Sequence, residues 1–298
     1  MEFLAEKRKD GSRSEASEVV AIGTDLLRQR LSRLSTDQWS VREQVFLAAL
    51  DCNNLSVAGS MLKEIEESFP ESQRAARLRG LYLEAQGSVK EAAAVYDALI
   101  KENEVNMLAF KRKVCLLKAT NKPSEAIAQL TKYLDVFQAD AEAWKELALM
   151  HVEAGSFRSA VYCLEEVIMC DPHSYISPMA LAEAKFSLGG DVVNVLDARK
   201  YFSHSLHLKE GKANPRALWG LMLVTRALDE WARGAEGDAS KKKKGKNNAG
   251  TDDVTALVQR NLNTALNLKA QQHLKKVQVP KGMEGIMDAV INRFSCDQ

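Results

Sequence analysis

The chain has 298 residues, 46% of them hydrophobic, so it can bury a substantial core in one large domain or two of ordinary size. The 41 basic and 40 acidic side chains leave a formal net charge of +1, which argues against a dedicated nucleic-acid-binding protein. Five cysteines without CxxC spacing argue against a disulfide framework and a zinc ribbon, and they favour a reducing compartment.

The amino-terminal residues predict a soluble chain with a helix ahead of its main array. Residues 1–14 form a charged arm that we expect to be mobile. Residues 15–34 place Val19, Ile22 and Leu26 near one face, which predicts a helix that covers the beginning of the array. No signal-peptide core and no run of about 18 apolar residues is present, so we expect neither a secretory leader nor a membrane span.

From residue 39 onward the sequence repeats with a period of 34 residues. Shifting Gly155 by this period reaches further turn-forming residues in both directions, namely Asn53, Gly87, Asn121 and Gly189. The repeats predicted in this way are 39–72, 73–106, 107–140, 141–174 and 175–212. Each is expected to contain two helices joined by that turn.

A small residue and a bulky residue recur inside the second helix of each repeat. The small residue is Ala58, Ala92, Ala126 and Ala160, and it returns as Ala198 after a four-residue insertion in the turn of the fifth repeat. The bulky residue four positions later is Leu62, Tyr96, Leu130, Leu164 and Phe202. This spacing puts both on one helical face, where the small residue allows two helices to approach closely.

A helix-turn-helix period of this length, with Trp144, Gly155, Ala160 and Pro172 at their offsets, is the tetratricopeptide-repeat signature. It predicts an all-α fold, a right-handed superhelical solenoid of helical hairpins with flanking helices at both ends. Residues 15–232 would form one continuous array, including a first carboxy-terminal helix at 213–232.

The carboxy-terminal part is interrupted by a lysine-rich segment. Residues 233–253 are rich in Gly, Ser, Lys and Asn, which predicts a disordered loop, and residues 254–298 predict helices that complete the solenoid. The lysines from 241 to 246 have two interpretations. They contact anionic lipid headgroups or serve nuclear import, or they belong to a solvated insertion, which is the usual behaviour of such runs.

No enzyme motif stands out, so we expect a protein without catalytic, cofactor-binding or metal-binding residues. The HExxH, GxSxG, P-loop and dinucleotide-binding patterns are absent. His204 and His207 are spaced to share a metal ion, but their helix supplies no further ligand, which favours a surface pair.

The first helix of each repeat is expected to line the inner surface of the solenoid. Its second, fifth, ninth and twelfth positions supply the basic residues Arg74, Arg77, Lys111, Lys118 and Lys145, interrupted by Leu81, Cys115 and Leu149. This pattern fits an extended or helical peptide with acidic and apolar groups, or a merely solvated face. The asparagines of a two-carboxylate chaperone clamp are absent, since the ninth positions are Leu47, Leu81, Cys115, Leu149 and Glu183.

Beyond the generic repeat, several particular strings resemble one tetratricopeptide family, subunit 2 of the ER membrane protein complex. They are EQVFLAALDCNN (43–54), FPESQRAARLRGLYLEA (69–85), AFKRKVCLLKA (109–119), AVYCLEEVIMCDPH (160–173) and ARKYFSHSLHL (198–208). The likeness runs from about residue 18 to the carboxy terminus and weakens in the lysine-rich loop.

The resemblance implies a non-catalytic scaffold on the cytoplasmic face of the endoplasmic reticulum membrane. Such a subunit holds cytoplasmic parts of membrane-embedded subunits and a soluble subunit, so that the complex can insert tail-anchored and multipass membrane proteins. Its attachment to the membrane would be peripheral, through protein contacts. The alternative is a soluble tetratricopeptide-repeat cochaperone or adaptor that binds short peptides without a carboxylate clamp.

Overall fold

The computed structural model describes residues 4, 6, 15–34, 37–209, 214–242 and 260–275. Over these residues it contains α-helices and no β-strand, which confirms the predicted all-α class. The chain divides into two compact units, residues 1–136 and 137–298. The repeat pattern predicted one array over 15–232 and did not predict this division, so each unit is described by itself.

Both units are built from consecutive helices joined by short connections. The described helices of unit 1 are α1 (Ala16–Leu34), α2 (Asp37–Asp51), α3 (Leu55–Ser68), α4 (Gln73–Ala85), α5 (Val89–Glu102), α6 (Met107–Ala119) and α7 (Pro123–Val136). Those of unit 2 are α8 (Ala141–Glu153), α9 (Phe157–Cys170), α10 (Ile176–Leu188), α11 (Val192–Leu208), α12 (Pro215–Lys242) and α13 (Arg260–Lys275). The helices pair in the order that the 34-residue period predicts.

The turn inside each helical pair has one backbone conformation that recurs with the repeat. Its central residues have positive φ angles: Asn53 55°, Gly87 81°, Asn121 56° and Gly155 71°. The next amide then bonds back to a carbonyl five residues earlier, as from Asn54 to Ala49 (2.7 Å) and from Ser156 to His151 (2.8 Å). This is the Schellman termination of a helix, and it explains why the turn position carries only Gly or Asn.

The recurring alanines lie where the paired helices touch, as predicted. Ala58, Ala92, Ala126, Ala160 and Ala198 all have 0% relative exposure. The bulky residues four positions later are buried as well, with exposures between 0% for Tyr96 and 6% for Leu164. A larger side chain at the alanine position would overpack this crossing. The sequence therefore located the contact line of the hairpins correctly.

The fifth repeat places its insertion differently from the prediction. Gly189 and Gly190 have positive φ angles of 59° and 74°, and Asp191 then caps α11 by accepting a hydrogen bond from the Val193 amide. Helix α11 has 17 residues, whereas α9 has 14. Most of the insertion thus lengthens the second helix by nearly one turn, because a helical turn takes 3.6 residues.

The prediction that residues 1–14 form a mobile arm is wrong at Leu4. This residue is fully buried in a cluster with Val19, Val41 and Val45. The Gln44 side-chain amide donates a 3.0 Å hydrogen bond to the Leu4 carbonyl. Leu4 therefore packs against α1 and α2. Glu6 is also described, and the other residues of 1–14 lie outside the described part of the chain.

Helix α12 runs past the predicted end of its segment. It continues to Lys242, so residues 233–242, predicted as the start of a disordered loop, are helical. Packing of the buried side chains between Ala217 and Ala232 stabilises the helix, and adding residues to an existing helix is much easier than starting one. Residues 243–259, with Lys243, Lys244 and Lys246, and residues 276–298 lie outside the described residues.

Helices α12 and α13 pack against each other, and polar contacts connect α13 to both α11 and α12. The Arg199 guanidinium of α11 donates to the Asn263 side-chain oxygen at 2.5 Å. The Asn267 amide donates to the Thr225 hydroxyl at 3.2 Å. Asn263, Asn267 and Thr225 are all buried. Burial of Arg199 lowers the pKa of its guanidinium below the ordinary value.

Trp144, a residue of the repeat signature, is only half-buried. Its indole Nε1 donates a 2.8 Å hydrogen bond to the Gln138 carbonyl, and its ring meets Tyr162 edge-on with centroids 6.0 Å apart. The side chain is half-buried, and Tyr162 is 57% exposed. Trp144 therefore packs at the rim of its hairpin, and its removal should cost less than that of a core tryptophan.

Candidate partner-binding surfaces

The first helices of unit 1 present a basic stripe, defined here as Arg74, Arg77, Lys111 and Lys118. Arg74 and Arg77 lie three residues apart on α4, and both bind the carboxylate of Glu43 on α2. The Arg77 contact to Glu43 is 3.4 Å. The Arg74 side chain is 68% exposed, whereas those of Arg77 and Glu43 are only 23% and 13% exposed. Arg74 is thus the accessible cation of the pair.

Lys111 and Lys118 lie seven residues apart on α6, a spacing that puts them on one face. The Lys111 ammonium sits 5.6 Å from the centre of the Tyr133 ring, a cation–π contact that covers part of its stem. Lys118 is exposed, as are Cys115 and Leu108 on the same helix. On α6, exposed apolar side chains therefore lie beside the basic ones.

A partly buried polar network holds α6 beside α4. The Tyr96 hydroxyl of α5 donates a 2.6 Å hydrogen bond to Glu84 of α4, and Arg112 of α6 binds the same carboxylate. Burial, followed by the bond to Glu84, raises the pKa of Tyr96 above its ordinary value. Burial alone would lower the pKa of Arg112, but the charge and hydrogen bond of Glu84 raise it overall. These three side chains position the stripe.

Lys145, the fifth predicted residue, belongs to unit 2. It lies on α8, where its ammonium binds Glu142 at 2.8 Å. It lines a groove of about 380 Å³ between α8 and α10. The apolar lining includes Leu149, Val152 and Ile176, which are 54%, 38% and 52% exposed. We therefore treat this groove as a separate candidate surface.

One edge of the groove in unit 2 is closed by a two-bond ion pair. The Arg216 guanidinium at the start of α12 donates to both oxygens of Glu183 on α10, at 2.6 and 2.7 Å. The hydrogen bond and the charge of Glu183 raise the pKa of Arg216. Two parallel bonds orient the guanidinium more firmly than a single contact would.

The acidic partners of the stripe were not predicted from the sequence. Glu43 occupies the fifth position of its first helix and Glu84 the twelfth, so the rule that selected the basic residues also contained them. Glu43 and Arg77 are 34 residues apart, one full repeat, and the pairing of Arg216 with Glu183 spans 33. Comparing equivalent positions of neighbouring repeats would have revealed the contact between Glu43 and Arg77.

The remaining polar residues give no sign of a reaction centre in the described part of the chain. His204 and His207 are both exposed, and the described residues contain no group of three or more His, Cys, Asp or Glu side chains suited to a metal ion. Burial raises the pKa of the Cys163 thiol to about 11, which makes it a poor nucleophile. None of the described helices is long and apolar enough to cross a membrane.

Comparison with known proteins identifies the family. A family model described as the EMC2 TPR-like repeat domain matches residues 60–206. ER membrane protein complex subunit 2-A of Xenopus laevis is 40% identical over 205 residues, which cover 69% of this chain and 68% of that protein. The chain belongs to the ER membrane protein complex subunit 2 family. The resemblance seen in the sequence is thereby confirmed.

More distant relatives agree on the repeat architecture. The TPR repeat protein oca3 of Schizosaccharomyces pombe is 31% identical over 182 residues, covering 61% of this chain and 64% of that protein. A solved tetratricopeptide-repeat protein of Cytophaga hutchinsonii shares the fold with a TM-score of 0.56 at 12% identity, covering 92% of this chain and 98% of the other. The matched range 60–206 includes all five predicted basic residues.

Proposed function

We propose that this chain is a non-catalytic scaffold subunit of the ER membrane protein complex, held at the cytoplasmic face of the membrane by contacts with other subunits. In that role it binds cytoplasmic segments of membrane-embedded subunits so that the complex can insert tail-anchored and multipass proteins. The 40% identity to subunit 2-A of Xenopus laevis is the observation that carries the proposal.

The surface chemistry of unit 1 supports a docking role. Leu108, Lys111, Cys115 and Lys118 alternate apolar and basic groups along one face of α6, and the Glu84–Arg112 contact fixes that helix against α4. A stripe on rigid helices is preorganised, so a partner segment with acidic and apolar groups loses little free energy to ordering of the scaffold. Attachment through such contacts is peripheral and needs no membrane span.

Charge reversal on α6 tests this role. We expect Lys111→Glu combined with Lys118→Glu to reduce partner retention at least fivefold, because the stripe would then repel acidic groups. The measurement is co-purification of the tagged full chain from gently solubilised membranes, with partners quantified by mass spectrometry. The matched control is Lys63→Glu with Lys90→Glu, two reversals at exposed positions on the second helices α3 and α5. Circular dichroism checks that helix content is unchanged in both.

Equal retention of partners by the two double variants would show that the partners contact a surface other than the stripe. Loss of partners in both would indicate a non-specific effect of charge. A wild-type chain that brings down no membrane subunit at all would refute the scaffold and favour the soluble adaptor.

A further inference from the structure

A second, smaller site lies in unit 1, where the connection between α3 and α4 passes the start of α2. We name it the Trp39–Phe69 pocket. It is an open cleft with a volume of about 240 Å³, and its walls include Trp39, Glu43, Ile65, Phe69, Arg74 and Leu78. The basic stripe reaches this pocket only through Arg74.

The aromatic wall of the pocket is firmly held although part of it is exposed. Phe69 is 43% exposed, and its ring meets Trp39 edge-on with centroids 4.9 Å apart. The Arg42 guanidinium lies 4.9 Å from the Trp39 ring centre and donates to Glu64 at 2.6 Å. The Phe69 amide bonds the Ile65 carbonyl at 2.9 Å, which fixes the connection itself. An exposed aromatic ring on a fixed backbone is suited to contact another protein.

The size of the pocket fits one side chain. Its floor is apolar and closed, because Ile65, Ala75 and Leu78 are 7%, 3% and 1% exposed. A cavity of about 150 Å³ suffices for benzene, whereas small-molecule sites usually measure about 300–1,000 Å³. At about 240 Å³ this pocket has room for one aromatic or large aliphatic side chain and too little for a typical cofactor.

The group formed by Arg74, Arg77 and Glu43 at the edge of the pocket carries a net positive charge, with Arg77 just outside the lining. Arg74 and Arg77 share the single carboxylate of Glu43, which leaves one cationic charge uncompensated within that group. The charge is accessible because the Arg74 side chain is 68% exposed. Arg42, which lies against the Trp39 ring outside the pocket lining, is balanced by Glu64. An anionic group placed beside an apolar anchor would complement this arrangement.

We propose that the Trp39–Phe69 pocket docks a partner-protein segment in which an aromatic or large aliphatic residue stands next to an Asp or Glu side chain. The apolar side chain lies against Phe69 and Trp39 over the floor formed by Ile65 and Leu78. The carboxylate binds the Arg74 guanidinium. The proposal deepens the proposed function, on which it rests for the existence of a partner, by stating the chemistry of one docked segment.

The test uses the isolated full chain and a fluorescein-labelled, end-blocked peptide with one phenylalanine between two glutamates. Fluorescence polarisation should show saturable binding. Replacing the phenylalanine by alanine, or both glutamates by glutamine, should weaken binding at least tenfold. Phe69→Ala and Arg74→Glu should each weaken it at least tenfold. Arg79→Glu, an exposed reversal on the same helix outside the pocket lining, should change it less than twofold.

Several results would overturn the proposal. Absence of binding, equal binding of the glutamine peptide, or unchanged binding by Arg74→Glu would each remove the acidic segment as the occupant. Self-association of the chain that Phe69→Ala abolishes would assign the pocket to a second copy. If the chain enters a large assembly but does not bind the peptide, the proposed ligand of the pocket is refuted and the proposed scaffold function is not. If the chain binds the peptide but enters no assembly, the proposed scaffold function is refuted and the proposed ligand of the pocket is not.

Discussion

At the scale of single residues, the turn position of the repeat shows how backbone conformation restricts the sequence. Asn53, Gly87, Asn121 and Gly155 all have positive φ angles, a region that side chains with a Cβ normally avoid and that Asn tolerates best. At Gly87 and Gly155 an added Cβ would meet no atom within 4 Å. At these two glycines the restriction therefore comes from the local backbone conformation and not from contact with neighbouring helices.

Gly155→Ala tests that interpretation. We expect it to lower the free energy of unfolding by about 1–2 kcal/mol, because alanine must then occupy a left-handed conformation. Urea unfolding followed by circular dichroism measures the change. Gly155→Asn is the matched control and should cost clearly less, since asparagine occupies the equivalent position at 53 and 121. Equal costs for the two substitutions would show that the turn conformation does not limit stability.

At the scale of helices, close approach depends on small residues at defined crossings. Gly80 on α4 faces Tyr96 on α5, and a Cβ at position 80 would lie 2.6 Å from the ring atoms Cε1 and Cζ. Tyr96 cannot move aside easily, because it is fully buried and its hydroxyl bonds Glu84. At Gly59 the nearest atom is the hydroxyl end of half-buried Tyr82, 2.8 Å away, which has room to shift.

The two glycines should respond differently to the same substitution. Gly80→Ala is expected to lower the free energy of unfolding by about 1–3 kcal/mol, the usual cost of overpacking. Gly59→Ala should be near neutral, since alanine favours a helix over glycine by about 1 kcal/mol and offsets the small shift of Tyr82. Thermal and urea unfolding of both variants provide the comparison. A Gly80→Ala variant as stable as the wild type would mean that α4 and α5 separate at little cost.

The sequence predicted the helices well because a helix is determined mainly by residues that are close together in the sequence. The starts of α4, α6 and α8 coincide with the predicted repeat boundaries at Gln73, Met107 and Ala141. The repeated alanines revealed the crossings, since only a small residue fits there. The features that escaped prediction depend on contacts distant in sequence. Leu4 packs against residues near position 45, and no local sequence pattern indicates this contact.

The candidate surfaces were predicted only in part for the same reason. Position within the repeat identified Arg74, Arg77, Lys111, Lys118 and Lys145, but it could not show that Glu43 neutralises part of that charge. Nor could it show that Lys145 belongs to a different unit. The Trp39–Phe69 pocket combines α2, the end of α3 and the start of α4, so it exists only once these elements pack.

At the scale of the full chain, the exposed surface suits a protein whose proposed role is to hold other proteins. Its helices bury their apolar residues within hairpins, while Leu108, Leu149 and Ile176 remain 52%, 54% and 52% exposed on first helices. Such residues are tolerated on a surface, but grouped with fixed charges they suit an interface that is covered in the assembled state. The relationship to the ER membrane protein complex subunit 2 family is the reason for proposing that complex as the assembly.

The most direct measurement is the native size of the chain after gentle detergent extraction of membranes. Native electrophoresis or sedimentation followed by detection of the chain should place it in an assembly far larger than its own 33.0 kDa. A denatured sample run in parallel marks the position of the single chain. Migration of the native chain chiefly at that position, with no share in a larger species, would contradict the scaffold.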